Sequence, residues 1–132
     1  MNFDEFRGHV EQIDKLAACG DDRALLAVLT GFADSDLPDL DRARLWIQAA
    51  AAYERLGEPD GALDAYERAA TLETPHHRFQ AAFRTSDYLM RLGRKDESRD
   101  ILKALIERPE ATLSERHSFE ARLKLLRRIK TT

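Results

Sequence analysis

Three glycines organise this chain. Gly20, Gly57 and Gly93 lie 37 and 36 residues apart, and each separates a longer amphipathic run from a shorter one. A glycine just past the last apolar residue of a helix suits a left-handed closing position, which only glycine adopts without steric cost. Three such stops at a near-constant interval restrict the chain to a repeated helix–turn–helix unit. A single helix pair cannot bury both its faces, so the pairs must stack on a shared core.

The runs themselves are helical in period. Val10, Ile13, Leu16 and Ala17 continue from Phe3 and Phe6 at helical spacing, predicting a first helix over about Asn2 to Ala18. Asp21 and Asp22 suit the positive end of a second helix carrying Leu25, Leu26, Val28, Leu29 and Phe32. Pro38 fits the first turn of a third helix, about Asp39 to Leu56. A fourth reaches about Leu72, a fifth spans about His76 to Leu92, and a sixth about Lys95 to Glu107. Thr112 and Glu115 have the spacing of a capping box, opening a seventh helix over about Leu113 to Lys130.

Composition supports an all-α fold in a single domain of 132 residues. Apolar residues make up 43% and charged residues 34%, a balance suited to helices with one buried face, and β-branched residues are scarce. One cysteine, Cys19, excludes an intramolecular disulfide. The first residues are amphipathic and charged, and no apolar run approaches the roughly 20 residues of a membrane span. The expected location is cytoplasmic. Charge is uneven: residues 1–42 carry net −6, residues 43–110 carry −1 and residues 111–132 carry +4. Such a dipole is consistent with solvated end faces, with head-to-tail contact, or with an acidic partner at the C-terminus.

Counting from the glycines aligns the units. Trp46, Ala50, Tyr53, Gly57, Ala62, Tyr66 and Ala69 define the central one, and Pro75 follows. The next unit substitutes Ala82, Ser86, Leu89, Gly93, Ser98, Leu102 and Leu105, and the first has His9, Ile13, Leu16, Gly20, Leu25, Leu29 and Phe32. In residues 43–76 this series resembles the tetratricopeptide repeat family, whose period is about 34 residues, and the flanking units are degenerate copies with longer linkers. The resemblance implies a right-handed superhelical stack of antiparallel helix pairs, an α-solenoid. About three pairs are expected, with units at about 6–42, 43–78 and 79–110 and a capping helix over 113–130. Phe119, Leu123 and Leu126 repeat the spacing of Trp46, Ala50 and Tyr53, as if the last helix began a fourth unit.

Catalytic constellations are absent. There is no GxSxG, P-loop or HExxH pattern, so no enzyme activity and no cofactor is expected. His76 and His77 could join Glu73 in a weak surface metal site or simply occupy a solvated turn. His9 falls at a core position, and His117 faces solvent. Cys19 lies near the negative end of a helix dipole, which does not favour a thiolate.

What remains is a surface. In stacked pairs the first helix of each pair makes the inner, concave wall. One stripe over from Trp46, Ala50 and Tyr53, that wall holds Arg44, Ile47, Ala51 and Glu54 on the third helix and Gln80, Phe83, Asp87 and Met90 on the fifth. Val10 continues the apolar strip of Ile47, Phe83 and Met90 onto the first helix. Apolar anchors ringed by charge suit an extended or helical peptide, but Ile47 and Phe83 could equally pack on the next unit. Relatives that clamp a C-terminal carboxylate use Lys or Arg with paired Asn on this wall. Ile47 and Ala51 stand at those positions, so that subtype is disfavoured. The leading expectation is a non-enzymatic protein–protein interaction module holding a peptide or partner protein in this groove. The alternatives are a self-associating scaffold and, more remotely, nucleic-acid binding through Arg122, Lys124, Arg127, Arg128 and Lys130.

Overall fold

The computed structural model describes residues 3–128, the side chains of Phe3 and Phe6 excepted. Within that range the chain forms seven α-helices and no strand: α1 (Phe3–Cys19), α2 (Asp22–Ala33), α3 (Asp39–Arg55), α4 (Pro59–Glu73), α5 (Gln80–Arg91), α6 (Lys95–Ile106) and α7 (Leu113–Arg128). Each packs on the next along the chain, most extensively α3 on α4. This is the all-α helical repeat that the glycine interval predicts. Asn2, at the predicted start of the first helix, and Ile129 and Lys130, at the predicted end of the last, lie outside the described residues.

The glycines close their helices as expected, with φ of 73° at Gly20, 71° at Gly57 and 81° at Gly93. After α3 the Gly57 N–H returns to the Glu54 carbonyl and the Glu58 N–H to that of Tyr53, each at 3.0 Å. After α5 the N–H groups of Gly93 and Arg94 return to Met90 and Leu89 in the same way. This doubled pattern satisfies carbonyls that a helix end otherwise leaves without donors. At the other ends, Asp21 accepts the Ala24 N–H at 3.1 Å, and Thr112 and Glu115 exchange both bonds of their capping box.

Two predicted boundaries are corrected. Pro38 precedes α3 as its capping residue, with ψ of 150°, instead of sitting in the first turn. The fifth helix starts at Gln80 and not near His76. Pro75 belongs to a short 3₁₀ turn, Thr74–His76, and His77 takes a left-handed φ of 57°. The chain therefore reverses before α5 can begin. Glu73 stabilises that late start: its Oε1 accepts the Ala81 N–H at 2.7 Å, one of the free donors in the first turn of α5.

Packing follows from side-chain size. Ala49, Ala50, Ala52, Ala62 and Ala69 are fully buried where α3 and α4 approach each other and their neighbours, with Trp46 and Tyr66 filling the space around them. In the following unit Ser86 and Ser98 take the places of Ala50 and Ala62 and are also buried. The Ser98 hydroxyl donates to the Ser86 carbonyl at 2.7 Å, so the substitution keeps the close approach and leaves no buried donor unmade. A second cluster, built on Leu102, Leu105, Phe119, Leu123 and Leu126, joins α6 to α7. In the first unit His9 is half-buried and lies against Phe32, ring centroids 3.9 Å apart.

Candidate functional site

Three adjoining concavities of about 280, 600 and 340 Å³ run across α3, α5 and the N-terminal half of α7. Gln80, exposed at the start of α5, lines all three. The first opens beside Leu40, Arg44 and Ile47; the second holds Ala51, Glu54, Phe83 and Asp87; the third lies between Phe83 and Phe119. Seven residues singled out in the sequence, Gln80 among them, thus line these adjoining concavities. Val10 and Met90 line none of its three parts. Val10 stands 38% exposed on α1, and Met90 packs against the α6–α7 cluster.

The anchors differ in how much surface they offer. Ile47 is only 7% exposed and belongs to the central core. Phe83 is half-buried, with its ring 5.3 Å from that of Phe119 and the Arg122 guanidinium 5.7 Å above it. Both packing and partial exposure therefore apply to Phe83.

Charged side chains in the groove are largely tied to one another. Glu54 accepts the Tyr66 hydroxyl and pairs with Arg91 at 2.7 Å, linking α3, α4 and α5. Burial, and then the Glu54 carboxylate, push the Tyr66 phenol well above its ordinary range, so it stays a donor. Asp87 pairs with Arg122 at 3.1 Å, linking α5 to α7. Glu73 is buried in the groove floor, and burial raises its carboxyl above the usual range, opposed by the Ala81 N–H and by the nearby Arg78 and Arg84.

The stripe legible in the sequence omits Glu73, Arg78, Arg84 and the hydroxyl of Tyr66. Glu73, the last residue of α4, and Arg78, in the turn after it, fall between aligned repeat positions. The repeat alignment makes Tyr66 a packing residue; its ring is packed, but its hydroxyl reaches the groove. The histidine pair does not gather with Glu73. His76 Nε2 lies 3.0 Å from Asp39, whereas Glu73 turns inward to Ala81. Among the described residues no three His, Cys, Asp or Glu side chains converge as a metal site, and no helix is long and apolar enough to cross a membrane. Of the basic C-terminal residues, Arg122 is held by Asp87, while Lys124, Arg127 and Arg128 are exposed.

No curated protein matches the chain. Residues 43–83 match the tetratricopeptide repeat family model, a span covering α4, the 3₁₀ turn, most of α3 and the first residues of α5. Repeats of this family generally mediate protein–protein interaction and are typically not enzymes. Residues 43–83 are a tetratricopeptide repeat, and the chain is an all-α helical repeat built around it.

Proposed function

We propose that the protein is a non-enzymatic interaction module whose three helix pairs and α7 act as one domain, binding a segment of a partner protein in the groove across α3, α5 and α7. The observation that carries this reading is the position of Gln80, shared by all three concavities. A continuous trough over three helices suits a chain segment, and the half-exposed ring of Phe83 supplies an apolar seat at its centre. Arg44 and Asp87 orient the segment on either side.

Replacing Phe83 with Glu is expected to abolish capture of the partner while circular dichroism shows unchanged helicity. Because Phe83 also touches Phe119, Gln80→Trp serves as a second variant: Gln80 is exposed, so the indole fills the trough without disturbing the core. Unchanged pull-down with both variants would sink the groove.

A second reading, self-association, is favoured by the surface of α7, where Leu113 is 72% and Leu125 47% exposed. Leu125 stands among Lys124, Arg127 and Arg128 at the positive end, opposite in sign to residues 1–42. Sedimentation at two salt concentrations tests it: a salt-sensitive dimer supports head-to-tail pairing, and a salt-indifferent monomer removes it.

A further inference from the structure

We infer that the segment held in the groove is acidic, its carboxylates meeting Arg44, Arg78 and Arg84 while an apolar side chain rests on Phe83. This rests on the groove reading above and adds the chemistry of the occupant.

The inference comes from which charges are already engaged. Glu54 is held by Arg91 and Tyr66, and Asp87 forms an ion pair with Arg122, although its buried Oδ1 receives no hydrogen bond. Glu115 accepts the Thr112 N–H in the capping box of α7, and Glu73 is buried against the Ala81 N–H. The acids of the groove are therefore engaged within the protein. Of its four lining arginines, Arg91 is engaged too, but the other three have no ion pair. Arg44, Arg78 and Arg84 are exposed, and among the described residues none has a carboxylate within ion-pair distance. Arg84 bonds the neutral amide of Gln80, 3.0 Å away when that amide is turned to accept, and with Arg78 it also lies close enough to the buried Glu73 carboxyl to act on its charge without forming an ion pair.

Charge complementarity then selects the ligand. A basic segment would face three guanidinium groups and could reach Glu54 or Asp87 only by displacing Arg91 or Arg122. A neutral segment would offer the arginines only uncharged acceptors such as backbone carbonyls, which compensate a covered charge less well than a carboxylate does. A carboxylate matches the planar fork of a guanidinium and forms the stronger, charge-assisted hydrogen bond. The first turns of α5 and α7, at Gln80 and Ser114, add the positive ends of two helix dipoles along the same trough.

A random dodecamer display library panned against the full chain tests this, with selected peptides remade and measured by fluorescence anisotropy. Enriched peptides are expected to combine Asp or Glu with an aliphatic or aromatic residue and to bind more weakly as salt rises. They should lose about tenfold or more in affinity against the Arg78→Glu, Arg84→Glu double variant, with Arg78→Gln, Arg84→Gln as a milder version should the reversal perturb folding. Neutral or basic peptides that still depend on Phe83 would overturn the acidic occupant and leave the groove standing. Peptides indifferent to Phe83→Glu and Gln80→Trp, or no enrichment at all, would overturn the groove itself. A dimer dispersed by the double reversal would place a second copy there and overturn an outside segment.

Discussion

At the scale of single residues, two positions carry more than their type suggests. Gly61 sits in the first turn of α4, and a Cβ built on it would stand 2.5 Å from Cδ1 of Tyr53 and 2.9 Å from Cγ. Because Cγ lies at the ring's root, the ring cannot swing clear cheaply. Gly→Ala inside a helix ordinarily gains about 1 kcal/mol; here we expect Gly61→Ala to lose about 1–3 kcal/mol by overpacking, read from the urea midpoint. Glu73 offers a test by pH. Its folded carboxyl is raised above the ordinary range by burial, so ionisation favours the unfolded chain. The penalty is present above the folded value and vanishes as pH falls through the ordinary glutamate range, about 4.3. Glu73→Gln keeps an acceptor for the Ala81 N–H and removes the charge. Its Tm should exceed that of the parent at pH 7, and the gap should close by about pH 4. A gap independent of pH would mean that the charge is not the cause.

At the scale of helices, local chemistry decides most of what is seen. The repeat ends where glycine permits a left-handed residue, and the same residue type has the opposite value inside a helix. Gly57 has φ of 71°, whereas Gly31 lies within α2, where an added Cβ would meet nothing within 4 Å. Gly57→Ala is expected to cost about 1–2 kcal/mol, and Gly31→Ala to gain up to about 1 kcal/mol. Thermal unfolding of the two variants should shift in opposite directions. The fifth helix shows where local reading stops. In sequence, His76 to Phe79 looks continuous with the helical run from Gln80 onward, yet the left-handed His77 and the reach of Glu73 to Ala81 move the start to Gln80.

At the scale of the molecule, stability is graded along the chain. The central core gathers α2, α3 and α4, while among the described residues of α1 none is buried and only His9, Ile13 and Leu16 are half-buried. Opening of α1 exposes little apolar surface, so its amides should exchange first and those of α3 and α4 last. Hydrogen-exchange mass spectrometry checks this order, and slow exchange in α1 would contradict it. The ion pairs Glu54–Arg91 and Asp87–Arg122 also act at this scale, since each ties one wall helix of the groove to the next.

The sequence by itself determined the helical period, the glycine stops, the small residues Ala50 and Ala62 with their replacements Ser86 and Ser98, and seven of the residues that line the groove. These are local or periodic properties: a helix forms from neighbours three and four residues apart, and a repeat copies that pattern. Only the tertiary structure decided that Ile47 is core, that Met90 and Val10 stand apart, and that Glu73 at the end of α4 and Arg78 in the following turn, both outside the aligned positions, join the groove. It also decided which charges are engaged. Glu54 and Arg91 are far apart in the chain, as are Asp87 and Arg122, and nothing in their spacing pairs them until the helices have docked. Gly20, Gly57 and Gly93 set where each of their helices ends; the packing of α3, α5 and α7 sets which arginines are left without an ion pair.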